Sequence, residues 1–315
     1  MTQQLLRVNS LAEIIDPQPT YLALGSFDGV HLGHQTVIRN MVDEARLAGM
    51  RSAVLTFFPH PKRVISGERG RFYINTIEDR IRLLAGIGPD LVITHTFDAQ
   101  VRNTRAADFV DQLVKHVGLS QIWGGNFAFG YRREGNIDFL RREGAERGFE
   151  VRAVDALISF DGSLISSSRV RQSLDVGDFY DVNGCLARRH SLRGVVVKGD
   201  QRGRTIGFPT ANLAVWDELL LPANGVYATY AWLGDRRYAA AANVGVRPTV
   251  NGRDRTVEAY LLDFDEDIYG QTLQLEFDKG IRPEQRFSGL DALREQIQKD
   301  VDQVRESLME GRGRS

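Results

Sequence analysis

Cysteine is almost missing from this chain: Cys185 is the only one in 315 residues. No intrachain disulfide can form, and a reducing compartment is the simple expectation. Long apolar runs are missing as well. None approaches the roughly 18 residues that a spanning helix needs. The opening MTQQLLRVNSLAEI has neither the basic start nor the apolar stretch of a secretory signal. The expected location is the cytoplasm, with no membrane partner. Charge of one sign is not in excess either. Lys and Arg total 40 against 41 Asp and Glu, for a net charge of -1. Nothing global draws the chain to nucleic acid or to an anionic membrane, so a nucleic-acid partner is not expected. No internal repeat is visible. What remains is an ordinary globular composition, 42% hydrophobic and 26% charged. At about 150 residues per domain, the length predicts two domains, each able to bury a core.

The first half alternates strand-like and helix-like segments. Tyr21–Gly25 is a short apolar run ending in glycine. Gly33–Ala48 follows, with Val37, Ile38, Met41, Val42 and Ala45 at helical spacing. Ser52–Phe57, Leu91–Thr94, Gln121–Gly124 and Glu150–Val154 read as further strands. Thr76–Leu84, Ala106–Lys115 and Ser167–Leu174 read as further helices. This alternation predicts a parallel sheet covered by helices. The second half differs. Arg193–Lys198, Gly225–Trp232, Arg237–Val244, Thr256–Leu262 and Thr272–Phe277 are short runs rich in β-branched and aromatic residues. Turn material separates them at Gly199–Gly207, Pro222–Gly225, Asn251–Asp254 and Tyr269–Gly270. That pattern predicts an antiparallel sandwich or small barrel. Leu290–Ser307 reads as a closing amphipathic helix, and Glu310–Ser315 is expected to be disordered. The boundary is expected near Asp181–His190, which gives domains of 1–184 and 185–315.

The first candidate site is GSFDGVHLGH, Gly25–His34. It follows the first strand directly and opens the first strong helix. A helix N-terminus offers unpaired N–H groups and partial positive charge, which suits phosphate. Gly25 and Gly29 let backbone approach a ligand, and Gly33 lets the helix begin tight against it. His31 and His34 are three apart at the helix start, so both imidazoles can face one point. Such donors can stabilise negative charge building on an α-phosphate during in-line attack. The same pair could bind zinc, but the single cysteine and the lack of a third ligand beside it argue against that. Two structural histidines are the other alternative. Further on, Ser167 and Ser168 offer hydroxyls and N–H groups at a helix start, with Arg171 one turn later. That is a second anion site or a plain helix cap. Phe127 and Phe129 could stack on a flat ring or belong to the core.

The second candidate site is VKGDQRGRTIGFPTANL, Val197–Leu213. Gly199, Gly203 and Gly207 recur at every fourth residue, with Arg202 and Arg204 at hand. A Walker A ending is missing, but a phosphate nest is plausible. A β-hairpin connection is the plainer reading of the same loop. Thr210 and Asn212 are two apart, so in an extended segment they share a face. Both oxygens can then reach one magnesium ion and its bound phosphates.

These blocks resemble a known family. GxFDGVHxGH resembles the HxGH signature of nucleotidylyltransferases in its FAD synthetase branch. TFFPHP (Thr56–Pro61), GGNFAFG (Gly124–Gly130) and ISSSRVR (Ile165–Arg171) are similar to further FAD synthetase blocks. The stretch from Gly199 resembles the riboflavin kinase signature GxxxGRxxGFPTAN. LPANGVYA (Leu221–Ala228), NVGVRPT (Asn243–Thr249), VEAYLLDFDEDIYG (Val257–Gly270) and IRPEQRF (Ile281–Phe287) follow in the family's order. The likeness runs from about Tyr21 to Asp300. It implies a Rossmann-like nucleotidylyltransferase domain followed by an antiparallel β-barrel riboflavin kinase domain with a C-terminal helix.

The implied activity is bifunctional. Riboflavin and ATP give FMN in the barrel; FMN and ATP give FAD and pyrophosphate in the first domain, with Mg2+ accompanying ATP. The resemblance carries Phe27 and Asp28 with Gly25, Gly29 and Gly33 as the ATP motif. It puts His60, Asn126, Phe127 and Phe129 toward the flavin, and Glu258 where the kinase's base lies. A carboxylate there can take the proton of the riboflavin 5′-hydroxyl. Two departures stand out. Asn126 occupies a place where many relatives carry aspartate, and an amide is a poor magnesium ligand and no base. The junction LARRHS, Leu186–Ser191, lacks the family's Gly-Arg-Pro-Tyr turn. Three rival readings are weaker: an adenylyltransferase for another acceptor with a regulatory barrel, a flavin carrier, and a nucleic-acid-binding barrel suggested only by Lys198, Arg202, Arg204 and the basic tail.

Overall fold

The computed structural model describes residues 6–125, 127–154, 158–199, 203, 206–249 and 252–310. The chain divides into two compact units, Met1–Gly70 with Thr76–Ile165, and Arg71–Asn75 with Ser166–Ser315.

The first unit is built on a six-stranded parallel sheet. Its strands are β1 (Leu6–Val8), β2 (Thr20–Gly25), β3 (Arg51–Phe58), β4 (Leu91–Thr96), β5 (Leu119–Gly124) and β6 (Glu150–Ala153). Their spatial order is β1-β4-β3-β2-β5-β6. The helices are α1 (Leu32–Ala48), α2 (Pro61–Ser66), α3 (Ile77–Ala85), α4 (Ala99–Asn103), α5 (Ala106–Gln112) and α6 (Ile137–Arg147). Successive strand residues point to opposite faces. Leu22, Leu55 and Ile93 pack with Phe109, Leu113 and Leu140 on one face. Ala23, Val54 and Val92 pack with Ile38, Met41 and Leu84 on the other. Burying each large aliphatic side chain contributes about 1.5–3 kcal/mol. The predicted helix Ala106–Lys115 keeps α geometry only to Gln112; Leu113–Val117 continues it as a π turn. The chain steps outward from β2 to β3 and β4, then restarts on the other side at β5. The carboxyl ends of β2 and β5 therefore flank a topological switch point, where open α/β sheets bind ligands. A short hairpin of β7 (Ser159–Phe160) and β8 (Ser163–Leu164) closes this unit.

The second unit is a closed antiparallel barrel. After α7 (Ser167–Val176) and α8 (Phe179–Leu186) come β9 (His190–Val197), β10 (Ala211–Ala214), β11 (Gly225–Leu233), β12 (Arg236–Thr249), β13 (Gly252–Leu261) and β14 (Thr272–Pro283). They close in the order β10-β13-β12-β11-β14-β9. Strands β12 and β13 pair as far as Thr249 with Gly252. Gly252–Asp254, expected as turn, therefore belong to β13, and Asn251 lies outside the described residues. Phe179 of α8 stacks on Phe277, with ring centroids 4.9 Å apart, and so seats α8 on the barrel. Residues Arg71–Asn75 complete this unit. Phe72 N and Tyr73 N donate to the Glu218 carbonyl, and Leu220 N donates to that of Tyr73. The last helix, α9 (Leu290–Glu310), buries Val301, Val304 and Leu308 against Phe208, Ala228 and Tyr230. Its Asp300 accepts from Arg282 at 2.8 Å. The helix thus includes Glu310, which was expected in a disordered tail; residues 311–315 lie outside the described residues.

Candidate active sites

The loop leaving β2 is bent into a shape that ordinary backbone avoids. Phe27, Gly29 and Val30 have φ of 46°, 85° and 42°. A non-glycine residue held there costs about 1–3 kcal/mol. Packing offsets that cost. Phe27 and Val30 are buried, and Gln35 Nε2 donates to the Val30 carbonyl at 3.0 Å. His31 then caps α1, its Nδ1 accepting from His34 N at 3.3 Å. With Nδ1 accepting, the neutral ring carries its proton on Nε2. The two imidazoles stack with centroids 3.6 Å apart.

The glycines leave room for neighbouring rings. A Cβ on Gly33 would lie 3.2 Å from the His31 ring. Gly33 therefore makes room for that imidazole. A Cβ on Gly25 would stand 2.9 Å from the Phe27 ring, and that ring lies edge-on to His34 at 5.2 Å. Phe27 is thus packed in the core of this unit. The Asp28 carboxylate is fully buried and accepts from Arg80 Nη2 at 3.1 Å.

A cavity of about 430 Å³ opens beside the segment that follows β5. Phe129 lines it with Phe57, Phe97, Phe109 and Tyr131, and Arg102, Arg132 and Arg133 are also in its wall. Aromatic walls with cationic groups suit a flat ring that carries an anionic substituent. Apart from Phe129, these wall residues were not anticipated. They come from separate segments that only the fold assembles. Phe127 packs in the core. It is buried, and a Cβ on Gly124 would lie 2.8 Å from its ring, so it belongs to the sheet core. His60 caps α2 by accepting from Lys62 N at 3.1 Å. Asn126 lies outside the described residues.

The serine–arginine group stands on α7, in the second unit. Ser166 is the cap, accepting from Arg169 N at 3.2 Å, so Ser167 and Ser168 are the first helical residues. Arg171 donates from Nε to the Phe72 carbonyl at 3.0 Å, and its guanidinium lies 4.1 Å from the Phe72 ring centre. Arg169 pairs with Asp181, which also accepts from Ser173 Oγ at 2.6 Å. Burial pushes the Asp181 carboxyl up, but the Arg169 and Ser173 bonds outweigh it and hold it below its ordinary value.

On the barrel, β10 and β13 bring the expected kinase residues together. Asn212 lies directly opposite Glu258. Thr210, two residues back on the same face, donates from Oγ1 to Glu258 Oε2 at 3.3 Å. Val257 and Ala259 point the other way, into the core. Glu258 is flanked on its other side by Asn243 of β12, which was not anticipated. Gly199 has a specific use. A Cβ there would lie 2.5 Å from the Asn212 amide. Gly203 closes the glycine loop, its carbonyl accepting from Phe208 N at 2.8 Å. Gly207 has φ of 90°, open to glycine and strained for other residues. Arg202 and Arg204 lie outside the described residues. A cavity of about 330 Å³ adjoins this face, lined by Thr210, Ala211, Asp265, Asp267 and Tyr269 among others.

A switch-point α/β unit with a histidine-capped helix, and a barrel bearing a Thr-Asn-Glu face, together define a nucleotide-using enzyme with two centres. Residues 13–169 match the FAD synthetase family and residues 186–308 match the riboflavin kinase family. The chain belongs to the bifunctional riboflavin kinase/FMN adenylyltransferase family. Its relatives include the bifunctional riboflavin kinase/FMN adenylyltransferase of Escherichia coli strain K12. That protein is 36% identical over 288 residues, covering 90% of this chain and 91% of the other. The protein of the same description from Listeria monocytogenes serovar 1/2a is 34% identical over 287 residues, with 90% and 91% coverage. A crystal structure described as a macrolide-efflux protein from Streptococcus pneumoniae shares the fold, with a TM-score of 0.86 and 30% identity. It covers 95% of this chain and 98% of that one. Among the described residues, no helix is long and apolar enough to cross a membrane.

Proposed function

We propose that this chain makes FMN from riboflavin and ATP on its barrel, and FAD from FMN and a second ATP in its α/β unit. Adenylyl transfer is assigned to 1–184 and phosphoryl transfer to 185–315. ATP as donor in both steps suits a cytoplasmic enzyme. The reading rests most on one observation: the Glu258 carboxylate, the Thr210 hydroxyl and the Asn212 amide share one face of the barrel.

On that face Glu258 takes the proton from the riboflavin 5′-hydroxyl as its oxygen attacks the γ-phosphorus and ADP leaves. The hydroxyl, amide and carboxylate are hard oxygen donors of the kind Mg2+ accepts. The Gly199 backbone leaves the Asn212 amide room that a Cβ would fill. Thr210 and Asn212 would hold the ion; when bound, it neutralises charge on the ATP phosphates. The Gly199–Gly207 loop, with Gly203, Arg204 and Gly207, would cradle those phosphates.

In the α/β unit the nucleophile is an FMN phosphate oxygen, which needs no base. It attacks the α-phosphorus of ATP and pyrophosphate leaves. His31 and His34, at the N-terminus of α1, donate to the oxygens that gain charge. The Phe129 cavity is assigned to the isoalloxazine ring, with His60 and Asn126 as nearby polar groups.

Chromatography of flavin products tests this assignment. Glu258→Gln is expected to lose FMN formation and to keep FAD formation from supplied FMN. His31→Ala is expected to do the reverse. Equal loss of both reactions in either variant would contradict separate sites.

A further inference from the structure

Arg80 is fully buried, an uncommon setting for a guanidinium. From α3 it reaches the loop that carries the paired imidazoles. Its Nη1 donates to the Ser26 carbonyl at 2.9 Å and to that of Phe57 at 3.3 Å. Its Nη2 donates to Asp28 Oδ1 at 3.1 Å, and neither side chain is exposed. Thr56 Oγ1 adds a bond to the same Ser26 carbonyl at 2.8 Å. One cation thus ties α3, the end of β3 and the loop after β2 into a single body.

That loop needs an external hold. Phe27 and Val30 are non-glycine residues at φ of 46° and 42°, and Asp28 lies between them. Strained backbone of this kind persists only where its surroundings over-determine it. The next residue after Val30 is His31, whose ring orientation depends on its Nδ1 accepting from His34 N. A shift of Ser26–Val30 would therefore move the cap and both rings together.

We infer that Arg80 is a positioning residue for adenylyl transfer. With Asp28 it fixes the bent loop, so that His31 presents Nε2 at the N-terminus of α1. It acts through the loop, with no contact to substrate. The inference rests on the assignment of His31 and His34 given above. It differs from a role in stability alone. A buried ion pair that only fills the core can be replaced by apolar groups with little loss of function, whereas misplaced transition-state donors reduce kcat.

The test uses the full chain carrying Arg80→Met, Arg80→Lys or Asp28→Asn, with steady-state kinetics of both reactions. Arg80→Met is expected to lower kcat for FAD formation about 100-fold, with KM for FMN and ATP within about threefold. FMN formation should stay within about twofold of the unaltered protein, showing that the barrel remains folded. Arg80→Lys, which keeps a donor near Ser26 and Asp28, should recover at least about tenfold of the loss. Asp28→Asn keeps the volume and should lower kcat in the same sense, which keeps the test open if Arg80→Met does not accumulate. The inference is overturned if Arg80→Met retains its kcat, if the loss lies in KM, if both reactions fall together with the folded fraction, or if Lys does no better than Met. His31→Ala is measured alongside. Full FAD synthesis by that variant would defeat the histidine assignment by itself, whatever Arg80 does.

Discussion

Ala187 ends α8 with φ of 51°, in the left-handed region where a Cβ is unfavourable. The residue is exposed, so no contact is lost by removing its methyl group. Ala187→Gly is expected to stabilise the second unit by about 0.5–1 kcal/mol. Calorimetry should show that unit's transition rising by a few degrees; a fall would contradict the backbone reading. His190, three residues on, is buried among Phe179 and Phe277. Its Nε2 has no hydrogen-bond partner among the described residues. Burial, reinforced by the Arg188 charge, pushes the imidazole down to about 3. The unfolded chain therefore takes up this proton first. The neutral ring's contribution to stability is complete above the unfolded value of about 6.5 and is lost as pH falls toward 3. Denaturant titrations between pH 7 and 4 should show a steeper loss for the unaltered protein than for His190→Phe. The slopes should differ by up to about 1.4 kcal/mol per pH unit; equal slopes would remove His190 from the account. At this scale the sequence was informative where chemistry depends on short spacing. His31 with His34, and Thr210 with Asn212, are legible for that reason. Arg80 was not, because its partner Asp28 is 52 residues away and nothing local marks the pair.

Elements were legible where periodicity was strong. The run Val37, Ile38, Met41, Val42 and Ala45 fixed α1, and all five are buried. Helix α6 escaped notice because only Leu140 and Gly144 in Ile137–Arg147 are buried, and charged residues dilute the pattern. Helix α8 lay where a linker was expected. Its burial against the barrel, through Phe179, Val182, Cys185 and Leu186, is a tertiary fact that local sequence does not show. A Cβ on Gly203 would collide with the Phe208 carbonyl oxygen, the backbone that leads into Thr210. Backbone cannot yield as a flexible side chain can. Gly203→Ala is expected to lower kcat/KM for riboflavin phosphorylation by about 10- to 100-fold. FAD formation from supplied FMN should be unchanged. A full kinase rate in Gly203→Ala would show that the loop's closure does not position Thr210.

The whole molecule was legible as two architectures because hydrophobic period changes from helical and strand alternation to short β runs midway. The packing boundary was less so. Helices α7 and α8, and the distant segment Arg71–Asn75, pack with the barrel. The two reactions are proposed to run at separate centres, linked only by FMN as product of one and substrate of the other. Mixing the Glu258→Gln and His31→Ala proteins with riboflavin, ATP and Mg2+, and following flavins by chromatography, tests this most directly. The account predicts that neither protein alone makes FAD from riboflavin, while the mixture does so after a lag in which FMN accumulates. FAD made from riboflavin by either protein alone, or a mixture that forms none, would contradict it.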